Sequence, residues 1–458
     1  QRASKVGASA GNDVWPVLLT QFLHMIAVGM SGIYYAEVLL NSPYSLGKVP
    51  TSQGVELTET EILSRTQTLL SLIIMANSIC ELLSSAFLGV LCDKWGRWPV
   101  AILTQTGQFI DFFVAAMCTV PFCKQGFHFE RSGLAIIVAR SVAGLCGNFR
   151  VPAMCCMADL STPETVGKNF GFLGAVSGLA LIFGPITAMV LVQTGFLRSV
   201  FFASSLMSIA NMVVITRYWP KAVQNPSTPW KGANPVELVR SVVGRSATLR
   251  TYGIMNFLDA FATSMFLGTM ALFTKFRFGW TQANLAPFFL LFGLLMPFQL
   301  GVVLPALLNR FSQPQVLKYG YLTSSLAFFL FFLAGLTSYS VLFVLVVFPF
   351  TLGFISNPTQ TVLANQEVED WELGRLSGAY SILETSGKTV APLIAGVVMN
   401  RTLQGWFPSF VYLVASAILF PGVVLAFRLG SLVKAADDED PIHGEDSSVE
   451  MTASGKLG

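Results

Sequence analysis

Gly89-Val90-Leu91-Cys92-Asp93-Lys94-Trp95-Gly96-Arg97-Trp98-Pro99 is a short charged interruption between two apolar stretches, one running up to it from Gln67 and one leaving it at Trp98. Each stretch is long enough to cross a bilayer, so the chain turns through this loop and re-enters lipid at once. Gly96 permits the tight turn because it has no Cβ. Asp93 is placed to cap a neighbouring helix N-terminus, where the dipole favours an anion, and Gly89 permits close approach between helices. Outward from this hairpin the pattern repeats. Apolar segments of roughly 20 residues begin near Val14, Gln67, Trp98, Gly133, Asn169, Ser199, Leu249, Asn284, Val316, Ser340, Arg375 and Phe407, which predicts an all-α membrane protein with twelve transmembrane helices.

Composition agrees. Of 458 residues 53% are hydrophobic and only 12% charged, with a mean hydropathy of +0.62; soluble proteins carry roughly 25% charged residues. A net charge of +3, scattered along the chain, is too small to suggest a nucleic-acid partner, and none is expected. Seven cysteines, all before residue 157 and mostly within apolar runs, read as buried hydrophobes, with Cys118 and Cys123 near enough in sequence to pair. Histidines at 24, 128 and 443 have no metal-ligand spacing, and no cofactor is expected. Ser386-Gly387-Lys388-Thr389 has the letters of a phosphate loop, but Ile382 stands at its first glycine and the segment is a membrane helix. An enzyme is therefore not expected.

The long connection after Arg217 is polar, basic and proline-bearing, and it divides the twelve helices six and six. The expected organisation is a cytosolic segment 1–13, a six-helix bundle 14–216, a cytosolic linker 217–248, a second bundle 249–428 and a disordered acidic tail 429–458. Lys and Arg on the N-terminal side of the membrane outnumber those on the other side two to one, which puts both termini in the cytosol. Asn400-Arg401-Thr402 has the form of a glycosylation acceptor on the far side. The halves echo one another: Gly167-Lys168-Asn169-Phe170-Gly171 with Pro185 returns as Gly374-Arg375-Leu376-Ser377-Gly378 with Pro392, and Asp93–Arg97 returns as Asn309–Gln313. Helices two and three thus correspond to eight and nine, and five to eleven, and pseudo-symmetric halves of this kind place a substrate site between them at mid-membrane.

The Gly89-x3-Asp93-x2-Gly96-Arg97 loop after the second of twelve helices resembles the signature loop of the major facilitator superfamily, with Trp98 where a second basic residue is usual. Arg140-x3-Gly144-x2-Gly147, in a helix ending Ala158-Asp159-Leu160, is similar to the helix-four signature of the drug:proton antiporter branch. Gly171-x6-Gly178-x5-Gly184-Pro185 is similar to the antiporter motif of tetracycline/proton exchangers, although Ala180 and Ala188-Met189 depart from its glycines. The resemblance is to the tetracycline-exporter-like branch and its eukaryotic vacuolar and endosomal relatives. It implies that helices one, four, seven and ten surround a central cavity. It also implies that the loop latches the halves at the cytosolic face, with Gly89, Asp93, Gly96, Arg97 and Asp159 as the gate and Arg97 paired with Asp159. Gly171, Gly178, Gly184, Pro185 and Pro392 become hinge or packing positions.

A charge at mid-membrane costs roughly 2.5 kcal/mol or more on insertion scales, so each one within a span is a candidate. Asp259 is the first choice for proton coupling and Glu81 the second, followed by Asp111, Glu384 and His24. The expected cavity lining is Gln21, His24, Arg140, Asn148, Asn256, Asp259, Asn357 and Gln360, with Arg140 as the cation that holds Glu81. Structural readings stand beside these: Glu384 and Lys388 form an i,i+4 pair in the favourable order, and Asp111 lies on a helix expected to be peripheral. Phe257, Phe261, Phe266, Phe348 and Phe350 are placed to stack on a ligand. The expected function is secondary active transport of a small organic solute by alternating access, with proton-coupled antiport. The alternatives are proton symport of a sugar or other nutrient, and a non-transporting receptor or scaffold. The partners would be solute, protons and bilayer, the protein a monomer, and its location the plasma membrane or a vacuolar or endosomal one.

Overall fold

A computed structural model describes residues 14–32, 34–41, 58–118, 129–161, 165–193, 197–219, 234–368, 373–403 and 407–439, and among them the regular structure is entirely helical. Cys123 lies outside these residues. The N-terminal half comprises α1 (Trp15–Gly32) with α2 (Tyr35–Asn41), α3 (Glu59–Trp95), α4 (Arg97–Cys118), α5 (Phe129–Cys146) with α6 (Arg150–Leu160), α7 (Val166–Gln193) and α8 (Leu197–Tyr218). A short helix α9 (Pro235–Val242) follows in the linker. The C-terminal half comprises α10 (Ala247–Phe278), then α11 (Gln282–Phe298) joined through a π-helical turn (Gln299–Val303) to α12 (Leu304–Leu308). It continues with α13 (Gln313–Leu336), a tenth crossing in three pieces, α14 (Ser340–Leu345), α15 (Val347–Gly353) and α16 (Ser356–Asn365), then α17 (Leu373–Leu403) and α18 (Phe410–Glu439).

Among the described residues eleven stretches are long and apolar enough to cross a membrane; the first crossing, α1, supplies the twelfth, its mean hydropathy lowered by Gln21 and His24. Local chemistry sets the ends. Thr58 and Glu61 form a reciprocal capping box that starts α3 two turns before the apolar run at Gln67. Gly279, at φ 65°, ends α10 in the left-handed conformation, and Gly96, at φ 93°, makes the turn between α3 and α4. At the C-terminus, where disorder was expected from residue 429, the backbone stays helical to Glu439: Leu432, Lys434, Ala435 and Ala436 favour helix, and the first breaker is Pro441.

Within the first half α1 packs on α7 and α8, α3 on α5, and α4 on α5 and α8; within the second α10 packs on α17 and α18, and α13 on α15, α16 and α18. The halves meet where α3 lies along α17 and α7 along α11. These are crossings two with eleven and five with eight, and exchanging the halves turns one pair into the other, as the internal repeat requires. The second half has an aromatic centre in which Phe266, Phe331, Phe343, Phe350 and Tyr412 are buried, neighbouring ring centroids standing 4.7 to 6.0 Å apart. Phe266 and Phe350 therefore fill the core and do not face a ligand.

Crossings four and ten, which correspond in the two halves, are both interrupted at mid-depth. Gly147, at φ 86°, breaks the fourth between α5 and α6, and Asn148 Oδ1 accepts from the Arg150 amide 2.9 Å away to begin the new helix. The tenth breaks after Gly353 and resumes at Ser356. Irregular backbone at this depth is tolerated where it lines a cavity or is buried in protein. Close packing also depends on Gly144, where a Cβ would overlap the carbonyl of Asn77 on α3; at Gly89 an added Cβ meets nothing within 4 Å, so that glycine does not serve close helix approach. Gly144→Val is expected to destabilise the fold by about 1–3 kcal/mol, read as a lower melting temperature of the purified protein, whereas Gly89→Ala leaves it unchanged.

Candidate transport site

The face carrying Asp93–Arg97 and α9, the one expected in the cytosol, is termed the inner face. Counting from the inner helix ends at about 1.5 Å per residue, Glu81, Arg150, Asp259, Asn357 and Glu384 all lie about 12 to 21 Å deep. Each half contributes one carboxylate held by an asparagine at the break in its fourth helix. Asn148 Nδ2 donates to Glu81 Oε1 at 2.8 Å, and Asn357 Nδ2 donates to Asp259 Oδ2 at 3.1 Å. Neither acid has a salt-bridge partner among the described residues. Lys388 Nζ binds Glu384 Oε1 one turn away. Arg150, from the first half, is within electrostatic range of Glu384 in the second, and Glu384 and Lys388 are within range of Asp259. Asn148, Arg150, Asn357 and Lys388 remain exposed. Polar groups left exposed at mid-depth, with charges from opposite halves within range of each other, mark the space between the halves.

The other expected cavity residues are drawn into the bundles. Gln21 is buried and donates to Ser177 Oγ at 3.1 Å. His24 is buried, accepts from Gln105 Nε2 at 3.0 Å and lies 5.0 Å from the Phe149 ring. Asn256 donates to the Tyr380 carbonyl at 3.0 Å, and the buried Gln360 joins the Tyr252 carbonyl to the Tyr321 hydroxyl. Arg140 does not hold Glu81. Its Nη1 donates to Asp111 Oδ2 at 2.9 Å and its guanidinium stacks 4.3 Å from the Tyr35 ring, so Arg140 and Asp111 are a structural pair inside the first half, Asp111 wholly buried. The pairing is the better solution electrostatically because Asp111 has no water to solvate it.

At the inner face Arg97 binds both Asp93, through Nη1 at 2.7 Å, and Asp159, through Nε at 2.9 Å. All three belong to the first half, so this ion-pair cluster ties α3, α4 and α6 together and does not itself bridge the halves. Asp93 takes a guanidinium, not a helix N-terminus. Gly184 lies so close to Gly29 that an added Cβ would stand 3.1 Å from the Gly29 backbone, and Gly178 faces Pro297 of the other half; Gly171 and Pro185 lie on α7, and Pro392 lies within α17.

Among the described residues two hydrogen bonds cross between the halves, both at the outer end. Gln67 Nε2 donates to the Gly268 carbonyl at 3.1 Å and Asn400 Nδ2 donates to Thr68 Oγ1 at 2.6 Å, with Gly396 so close that a Cβ would stand 2.7 Å from Ser71 Oγ. Asn400 is thus a helical seam residue, not a free glycan acceptor. Polar residues Gln67, Thr68 and Ser71 on one turn of an apolar run were the available signal for this seam, and the exposed cations Arg150 and Lys388 were the signal for the central cluster.

The sequence profile of the Major Facilitator Superfamily matches residues 17–392. The chain belongs to this superfamily. It is a multi-pass membrane transporter and not an enzyme. Tetracycline resistance protein, class C, of Escherichia coli is 24% identical over 338 residues, spanning 72% of this chain and 79% of that protein. Mouse major facilitator superfamily domain-containing protein 10 is 25% identical over 242 residues, 48% of this chain and 49% of that one. Among solved structures, the human organic anion transporter MFSD10 (TETRAN) superposes with a TM-score of 0.65 at 19% identity, covering 90% of this chain and 98% of that one. The D-xylose-proton symporter does so with 0.67 at 13%, covering 91% and 97%. At these identities the superpositions establish the fold of this facilitator.

Two outcomes follow for this facilitator. Asp111→Ala leaves a buried guanidinium and costs about 3–5 kcal/mol, whereas Asp111→Leu with Arg140→Met recovers most of it, as read from melting of the purified variants. Thr68→Cys with Asn400→Cys cross-links under mild oxidant and arrests transport, and reductant restores it.

Proposed function

We propose that this facilitator is a proton-coupled antiporter of a small amphipathic organic solute, working by alternating access with Asp259 and Glu81 as its proton sites. The observation that carries this reading is the charge of the central cluster. Glu81, Asp259 and Glu384 oppose Arg150 and Lys388, so the cluster is negative by one charge when all are ionised and positive by one when Glu81 and Asp259 are protonated. Amide donors hold both acids, and an amide bonds a carboxylate in either protonation state. A cationic solute and protons therefore exclude one another from the same space, and such mutual exclusion is the thermodynamic basis of exchange. Similarity to tetracycline resistance proteins supports the same branch.

The outer seam closes one side of the central space, and Arg97 with Asp93 and Asp159 stiffens the inner end of the half that moves against α17. Both termini are taken to face the cytosol, in the plasma membrane or a vacuolar or endosomal membrane. Symport is the second reading, favoured by one observation: with both acids protonated, the exposed Arg150 would draw in an anionic solute together with protons.

Liposomes holding the purified protein and a trapped pH dye, challenged with amphipathic cations, anions and sugars, separate these readings. Antiport moves protons against the solute flux and symport moves them with it. Asp259→Asn is expected to lower pH-driven solute accumulation by about 5- to 150-fold, the usual span of a coupling free energy, while Asp259→Glu retains part of it. Unchanged pH dependence in Asp259→Asn and Glu81→Gln alike would remove both residues from the coupling.

A further inference from the structure

On the inner half of the membrane, α9 does not lie free beneath the bundles. Its Leu238 is 3.4 Å from the position of a Cβ on Gly378, its C-terminal neighbour Val243 packs at Gly253 of α10, and Ser241 Oγ accepts from Arg375 Nη2 at 3.3 Å, so this face is fastened to the second half. The opposite face overhangs the seam between the halves. There a groove of about 330 Å3 is lined by Leu82 of α3, by Ile382 of α17, and by Pro235, Val236, Val239 and Arg240 of α9. Val236 is 73% exposed and Arg240 is also exposed.

The lining is apolar apart from Arg240, which has no carboxylate within salt-bridge distance among the described residues. Glu237, one turn earlier, partly offsets its charge, but the exposed Arg375 adds positive potential on the same inner face. Apolar walls in the depth of a leaflet fit an acyl chain, and a guanidinium at the rim fits a phosphate, which it binds through paired N–H donors. Basic pockets between membrane helices on the cytoplasmic side recognise anionic headgroups by this combination.

We propose that one anionic phospholipid of the inner leaflet occupies this groove, its chain against Leu82 and Ile382 and its phosphate on Arg240, so that it bridges the two halves. The full chain would be reconstituted in nanodiscs of phosphatidylcholine containing one-fifth phosphatidylglycerol, released into mild detergent, and weighed intact by native mass spectrometry. The expected result is one retained phosphatidylglycerol per chain, enriched at least tenfold over its share of the bilayer. Arg240→Gln should lower that enrichment about fivefold, Val239→Trp, which fills the groove, should abolish retention of either lipid, and Arg250→Gln, outside the lining, should leave it unchanged. All variants are compared at equal monodispersity and melting temperature. Retention without headgroup preference, equal enrichment in Arg240→Gln, or displacement of the lipid by transported solute would each overturn the proposal.

Discussion

Asp111 and Arg140 stand 2.9 Å apart in the interior of the first half, where neither could remain ionised alone, and the rest of the molecule is arranged around the same requirement. An ionised group in hydrocarbon must be paired, hydrogen-bonded or wetted. The chain meets that requirement in three ways. Asp111 with Arg140 is paired and enclosed, Arg97 with two aspartates is paired at the face, and Glu81 and Asp259 are each hydrogen-bonded by an amide, with no cation at salt-bridge distance among the described residues. The last arrangement is stable only where water or a solute can reach the acids. The two carboxylates with no cation at salt-bridge distance among the described residues therefore support the proposed site between the halves.

Those acids are held by the broken helices. Asn148 sits in the break at Gly147, between α5 and α6, and Asn357 in the first turn of α16, just past the break after Gly353; from there they bond Glu81 and Asp259. Duplicated halves make the arrangement recur, although not by copying: the acid comes from the second crossing in one half and from the first crossing of the other. The pseudo-symmetry is one of role and depth more than of residue.

This division explains what was legible in the sequence. Twelve crossings, the split after Arg217 and the pairing of corresponding helices follow from apolar length and repeated glycine and proline spacing, which depend on local chemistry. Asp259, Glu81 and Asn357 were legible because charge and amide are rare at mid-depth. Arg140, His24, Gln21 and Gln360 were equally rare, yet their partners, Asp111, Gln105, Ser177 and Tyr321, come from distant parts of the chain, and only packing shows that they are satisfied inside a bundle. Depth along one helix is written in sequence; the direction a side chain faces across two helices is not.

The outer seam has a property that its geometry alone does not announce. Gln67 with Gly268 and Asn400 with Thr68 are neutral contacts, and no formal charge moves when they part. A membrane potential does work of about 2.3 kcal/mol per elementary charge per 100 mV, and on this seam it does none. In the proposed exchange cycle, voltage acts instead through the charged central cluster and whatever it carries. An empty and a loaded carrier that differ in charge would then feel the field differently, and the seam would be indifferent to it.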